Sequence, residues 1–227
     1  MTALALGTVA GASVPPQGGI SHRQVAHDAF ARAIARADSG DARGETTLAF
    51  AYLQGDHVAA DPAAAARWAL AAAKQGEPMA QYLTGAFYRN GDGVAAADPG
   101  QAAAWFEAAA LRGNLKAMHD IAIAYAEGQG VARDPERAAA WFNRAAGEGY
   151  TDSQFDLAVL YERGDGVKQN PVAALKWYLI AARSGDRQAD ARAAQLAAEM
   201  SLGDVAEAQG LAADFAPASA DRIANGL

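Results

Sequence analysis

The sequence contains no cysteine among its 227 residues. Disulfide bonds, thiolate metal sites and a cysteine nucleophile are therefore excluded. The chain also has no apolar run of the roughly 18 or more residues that a membrane-spanning helix needs. Positive charge is scarce, since 19 Lys and Arg face 26 Asp and Glu and leave a formal net charge of −7. Proteins that bind nucleic acid through its phosphates need clustered Lys and Arg, so the charge argues against that class.

A repeat in the mid-thirties organises the middle of the chain. Five glycines follow one another at steps of 36, 37, 36 and 36 residues: Gly40, Gly76, Gly113, Gly149 and Gly185. Aromatic residues recur in step with them: Trp68, Trp105, Trp141, Trp177, Tyr52, Tyr88, Tyr125 and Tyr161. Such a period is typical of solenoids of helix pairs. We predict an all-α, right-handed α-solenoid of four helix-turn-helix repeats, in which these aromatic residues anchor the core.

The turn inside each repeat has a constant chemistry. The first helix should end at a glycine that suits a left-handed cap: Gly55, Gly91, Gly128 or Gly164. A second glycine follows at Gly93, Gly130 and Gly166, and an Asp-Pro or Asn-Pro pair then marks the start of the second helix. In the first repeat His57 replaces the second glycine, which predicts either a different turn or mild strain at His57.

The flanking segments complete the predicted domain organisation. Residues 1–20 are expected to be a disordered leader or the stub of an anchor, and residues 21–39 an N-terminal capping helix. The four repeats occupy residues 40–184, C-terminal capping helices residues 185–216, and a flexible tail residues 217–227.

Residues suited to catalysis or metal binding are few. The four histidines show no metal-ligand spacing: His22, His27, His57 and His119. The first two share the predicted N-terminal helix but are five residues apart, so they do not lie on one face. The GDGV turns at 91–94 and 164–167 lack both the lysine of a phosphate-binding loop and the glutamate of a calcium loop. We predict no catalytic residue, cofactor or metal. His119 is interpreted as a packed, hydrogen-bonded residue, because Tyr82 and Phe155 hold its position in neighbouring repeats.

A binding surface remains, on the first helices opposite their packed stripe. The predicted partner-binding groove consists of Phe50, Leu83, Asp120, Ile123, Glu127, Asp156, Val159 and Arg163. This mixture of apolar and charged side chains suits an extended peptide or a partner helix. Asp120 and Asp156 lie one repeat apart and are expected to be solvated and to favour a partner that carries Lys or Arg. The alternatives are that Lys116 or Arg163 neutralises the two aspartates, or that the whole stripe is ordinary solvated surface.

The repeat unit resembles a known family. Its pattern A-x-x-x-L-A-x-x-Y-x-x-G-x-G-V…W-(F/Y)-x-x-A-A-x-x-G is similar to that of Sel-one-like repeats, relatives of the tetratricopeptide repeats, between about Gly40 and Gly185. The resemblance implies a non-enzymatic scaffold that binds other proteins or peptides.

Two stretches resemble a narrower group. GNLKAMHDIAIAYA and DSQFDLAVLYERGDGVKQN, with FAP and ADRIAN near the end, are similar to the periplasmic C-terminal part of alphaproteobacterial polar localization factors of the PodJ type. The resemblance implies a periplasmic module whose full-length protein carries a coiled coil and a membrane span upstream, and it adds peptidoglycan as a second ligand, ranked below proteins. The alternative function is a free-standing periplasmic repeat regulator that inhibits a sensor-kinase pathway.

Overall fold

The computed structural model describes residues 22–218, with side chains described from residue 29 onward. The predicted leader and most of the predicted tail, residues 219–227, lie outside this range. The described chain consists of helices joined by turns, without a strand. The helices are α1 His22–Asp38, α2 Ala42–Gln54, α3 Pro62–Lys74, α4 Pro78–Asn90, α5 Pro99–Leu111, α6 Leu115–Glu127, α7 Pro135–Gly147, α8 Thr151–Arg163, α9 Pro171–Arg183, α10 Arg187–Glu199 and α11 Leu202–Ala213.

The helices pack in the order of the chain. The two helices of each repeat pack together, as α2 with α3, α4 with α5, α6 with α7 and α8 with α9, and each second helix also packs on the first helix of the next repeat. Helix α1 covers α2 at one end, and α10 and α11 both pack on α9 at the other. This nearest-neighbour packing confirms the predicted α-solenoid.

The caps account for where the helices begin and end. Asp61, Asp98, Asp134 and Asn170 each accept a hydrogen bond from the backbone N–H three residues on, at 2.9–3.1 Å. A proline follows each of them in the first turn. The first helices end on glycines with φ between 72° and 81°. Both cap types match the prediction, because the hydrogen-bonding groups involved are close together in the sequence.

The second glycine of each turn touches the preceding repeat. A Cβ on Gly130, whose φ is +71°, would lie 2.0 Å from the carbonyl oxygen of Pro99 at the start of α5. Gly93 and Gly166 make the same approach to the previous repeat. His57, at the equivalent position of repeat one, also has a positive φ of 63°, and its ring stacks on Phe30 of α1 at 5.2 Å. Repeat one has only α1 before it, so a Cβ is tolerated there.

The core differs from the prediction in its aromatic anchors. Trp177 is buried, but Trp68, Trp105 and Trp141 are only half-buried. The residue after the tryptophan is buried in all four repeats: Ala69, Phe106, Phe142 and Tyr178. Adjacent helix positions point about 100° apart, so in the first three repeats the second residue faces the interior while the tryptophan lies at the margin. In repeat four both are buried, and Phe215 packs on Trp177. The small residues Ala49, Ala122 and Ala158 are fully buried, as helices in close contact require.

The C-terminal segment folds back onto the array. Helix α11 packs on α9, and the ring of Phe215 meets that of Trp177 at 5.3 Å. The N–H of Ala218 donates to the carbonyl of Gly147 at 3.0 Å. Residues 217 and 218, assigned above to a flexible tail, are therefore held against the α7–α8 turn. No helix within residues 22–218 has the length and apolar character needed to cross a bilayer.

Candidate functional site

The predicted groove residues do not form one continuous surface. Five of them line a single cavity of about 350 Å³ between α6 and α8: Ile123, Glu127, Asp156, Val159 and Arg163. Helix α7 forms its floor through Pro135, Ala138 and Phe142. We call this cavity the open cleft. Helices α6 and α8 form its two walls because α7 packs against both of them and keeps them apart.

The other three predicted residues lie elsewhere. Phe50 lines a separate cavity of about 310 Å³ between α1 and α2, which also contains Phe30 and His57. Asp120 lines a space of only about 40 Å³ between α4 and α6, which we call the closed cleft. Leu83 is a correction, since it is 7% exposed and belongs to the core cluster around Phe87. Its apolar side chain turns into the repeat instead of lining a groove.

An internal ion pair fills the closed cleft. Nη1 of Arg89 lies 2.8 Å from Oδ2 of Asp120, and the guanidinium sits over the Phe106 ring, 5.2 Å from its centroid. The Asp120 side chain is 13% exposed, so the expectation of a solvated carboxylate is wrong at this position. Burial raises the pKa of Asp120, and the Arg89 guanidinium opposes that rise. The residue that neutralises Asp120 is Arg89, not Lys116 or Arg163, the two candidates expected from the sequence.

The open cleft lacks such a pair. Its carboxylate is Asp156, one repeat after Asp120, but the position equivalent to Arg89 is Ala126. The Asp156 side chain is 36% exposed and its Oδ2 lies 3.7 Å from Nδ1 of His119. Among the described residues it forms no ion pair with Lys or Arg. Burial raises its pKa, His119 lowers it, and the nearby Asp152 and Asp186 raise it further.

His119 lies next to two residues of the open cleft, Asp156 and Phe142. Its Nδ1 lies 3.1 Å from Oγ of Ser153, and its ring packs against those of Phe142 and Tyr150 at 5.6 and 5.3 Å. The predicted packed and hydrogen-bonded histidine is confirmed. These two rings and Ser153 hold the imidazole in place, so the half-buried His119 stays beside Asp156.

The last interface reverses the charges of the closed cleft. Glu162 of α8, at the position of Arg89 in its repeat, forms an ion pair with Arg192 of α10, at the position of Asp120. The Tyr178 hydroxyl donates to Glu162 at 2.7 Å. Burial and this carboxylate raise the pKa of Tyr178 to about 12, so its hydroxyl keeps its proton at neutral pH. A pair between these two positions therefore closes the interfaces on both sides of the open cleft.

No described group of three or more His, Asp or Glu side chains has the arrangement of a metal site. The titratable groups around the open cleft are carboxylates and guanidiniums next to apolar walls. That combination can hold a complementary side chain by charge and apolar contact.

Comparison with known proteins agrees with this architecture. The model of the Sel1 repeat matches four times, at residues 45–77, 78–114, 115–150 and 151–186, which together are well over half of the chain. The chain belongs to the Sel1 repeat family. Sel1 repeat proteins are generally non-catalytic scaffolds that bind other proteins. No curated protein matched the sequence.

Solved structures show the same fold. The chain is 26% identical, with a TM-score of 0.75, to c5321, a protective antigen of uropathogenic Escherichia coli strains that displays an SLR fold. That match covers 83% of this chain and 40% of the antigen, so this chain spans less than half the antigen's length. A Sel1 repeat protein from Oxalobacter formigenes is 24% identical with a TM-score of 0.72, over 84% of this chain and 80% of that one.

Residues missed by the sequence analysis decide which Sel1 repeat interface is open. Arg89, Ala126 and Phe142 were not selected, although all three line the clefts. A signal for two of them was present, because Arg89/Asp120 and Glu162/Arg192 are opposite charges 31 and 30 residues apart. Comparing those two columns across the repeats shows that Ala126 faces a column position that keeps its aspartate, whereas the interface of repeats one and two has leucine at both positions, Leu53 and Leu83.

Proposed function

We propose that this Sel1 repeat chain is a protein-interaction module that binds an extended partner segment across the first helices, with the open cleft as its main contact. The observation that carries the proposal is the cavity of about 350 Å³, which combines apolar walls with a carboxylate that no Lys or Arg of the described chain neutralises. A cavity of that size is in the usual range for recognition sites.

Site-specific cross-linking tests this proposal. A photoreactive phenylalanine analogue replaces Arg163 at the rim of the open cleft, and the control carries it at Leu111, which is 64% exposed and lines neither cleft. In cells that make the protein naturally, a cross-linked partner is expected from position 163 only. An excess of wild-type chain should compete it away, and a Val159→Asp chain should compete less well. Equal cross-linking from both positions, or equal competition, would refute the groove as the binding surface.

For the biological setting, we propose a periplasmic module of a polar localization factor. The two stretches that resemble such factors support it, and one of them supplies His119 and Asp120 while the other supplies Asp156 and Val159. Fusing alkaline phosphatase, which is active only after export, to the C terminus of the full-length protein tests the compartment. A fluorescent fusion tests the position. Inactive phosphatase or uniform fluorescence would count against the setting.

The two other ligand classes are tested separately. A change in the output of a sensor-kinase pathway on deletion, without any change in polar proteins, would favour the regulator. Strong sedimentation of the purified chain with isolated sacculi at moderate salt would favour peptidoglycan over a protein as the ligand.

A further inference from the structure

We propose that the open cleft binds the guanidinium group of an arginine in the partner segment, at the place that Arg89 occupies in the closed cleft. This inference rests on the proposed function and names the chemistry of the partner. It comes from a comparison of two clefts within one chain, one of which already contains its arginine.

The two clefts are built from equivalent positions. Successive residues of the closed cleft correspond to residues of the open cleft as follows: Pro99 to Pro135, Ala102 to Ala138, Phe106 to Phe142, Asp120 to Asp156, Ile123 to Val159 and Arg89 to Ala126. Only the last pair exchanges a long cationic side chain for a methyl group. The cavity is about 40 Å³ in the first case and about 350 Å³ in the second.

The closed cleft shows how an arginine is held. The guanidinium of Arg89 pairs with Asp120 at 2.8 Å and lies over the face of Phe106. In the open cleft the equivalent carboxylate and ring are Asp156 and Phe142. Arginine combines a planar group that stacks on an aromatic ring with several donors for a carboxylate, whereas lysine offers a compact, strongly hydrated charge. The arrangement therefore favours arginine over lysine.

Neither arginine that lines the open cleft already takes this place. Nε of Arg133 donates to the carbonyl of Ala126 at 3.0 Å, so it is held at the rim. Arg163 also lines the cavity but forms no ion pair with Asp156 among the described residues. Glu127 and Asp165 add negative charge at the entrance. No Lys or Arg of the described chain therefore takes the place beside Asp156 and Phe142, and His119 is the one basic side chain paired with this carboxylate there.

Titration with a small probe tests the chemistry directly. The whole ¹⁵N-labelled chain is titrated with N-acetyl-arginine N-methylamide and, as a neutral analogue of the same shape, with N-acetyl-citrulline N-methylamide. We expect amide shifts at Ala126, Asp156 and Val159 with the arginine probe, and at least about tenfold weaker binding of citrulline, because the charge-assisted bond is lost. Equal affinity for both probes, or shifts confined to other regions, would overturn the proposal.

Three variants test the placement. Ala126→Arg should refill the open cleft, abolish probe binding and raise the melting temperature by about 1–3 °C. Leu53→Arg is the matched control, because Leu53 is the equivalent residue of repeat one and the position of Asp156 at its interface is held by Leu83, not by a carboxylate; this variant should change neither property. Arg89→Ala should empty the closed cleft and create a second site with shifts at Asp120. Wild-type affinity in Ala126→Arg, or no second site in Arg89→Ala, would contradict the inference.

Failure of this inference can be told from failure of the proposed function. Suppose that a partner cross-links from position 163 but binds equally well when its arginines are replaced by glutamine. The proposed interaction module would then stand, and the proposed arginine recognition would be wrong. If the probe binds at Asp156 but no partner cross-links from position 163, the arginine pocket stands and the interaction module fails.

Discussion

Substitution of Gly130 tests the contact that joins consecutive repeats. Its φ of +71° is strained for any residue with a side chain, and its Cβ would lie 2.0 Å from the Pro99 carbonyl oxygen and 2.6 Å from the Gly100 nitrogen. These atoms belong to backbone of the preceding repeat and cannot rotate away. Gly130→Ala must therefore move the turn of repeat three away from the start of α5.

The expected loss has two parts. A left-handed conformation costs a residue with a Cβ roughly 1–2 kcal/mol. Overpacking against fixed neighbours typically adds about 1–3 kcal/mol. Together they predict that the free energy of unfolding falls by about 2–5 kcal/mol, which for a chain of this size lowers the melting temperature by roughly 5–20 °C.

Gly147→Ala supplies the control. Gly147 ends α7, and a Cβ there would meet nothing within 4 Å. Alanine should be neutral or stabilise this position by up to about 1 kcal/mol. Urea unfolding followed by circular dichroism gives both values, and hydrogen exchange shows whether repeats two and three open together in Gly130→Ala. If Gly130→Ala unfolds at the same urea concentration as Gly147→Ala, the close approach of the turn to α5 does not stabilise the array.

Three further outcomes are expected. Phe142→Ala should lower the free energy of unfolding by about 3–5 kcal/mol and Trp141→Ala by clearly less, because only Phe142 is fully inside; urea titration checks the order. Asp156→Asn should raise it by a few tenths of a kcal/mol at pH 7, since burial raises the pKa of this partly exposed carboxyl and its ionised form destabilises the fold. That gain should shrink as the pH falls through the raised folded pKa and vanish below the unfolded value of 3.8, where both states are protonated; unfolding measured at several pH values checks this. Phe215→Ala should speed hydrogen exchange in α9 and α11 by removing the ring that packs on Trp177.

The repeat period predicts the order and approximate bounds of the helices because the signals that set them are local. A cap such as Asp134 or Gly128 needs only neighbours within a few residues, and the sequence places those neighbours directly. The clefts depend instead on which faces of two helices meet, about 30 residues apart. Leu83 and Asp120 share one position of the repeat, yet one turns into the core and the other closes on Arg89.

The tryptophans show the same limit in the core. Their register correctly marks the second helices, but register does not tell which of two adjacent aromatic residues is buried. A helix turns by about 100° per residue, so Trp141 and Phe142 point to different sides, and the crossing of α6, α7 and α8 determines which side is inside. The tryptophan is the residue that recurs in the sequence, but the structure buries Phe142, at a position that holds Ala69, Phe106, Phe142 and Tyr178 in successive repeats.

The interfaces between repeats combine one backbone geometry with different side chains at the same two positions. The interface of repeats two and three carries Arg89 and Asp120, and the interface of α8 and α10 carries Glu162 and Arg192 in the reverse order. Exposed or partly exposed pairs of this kind contribute only about 0–1 kcal/mol each, so an array held by its buried alanines and aromatic rings does not depend on them. The absence of a cation at Ala126 therefore costs little stability, but it leaves the partly exposed Asp156 beside an open cavity of about 350 Å³. Departures from an otherwise consistent pattern are expected at functional sites. The open cleft is such a departure, because it keeps an accessible carboxylate without its ion-pair partner and loses little stability by it.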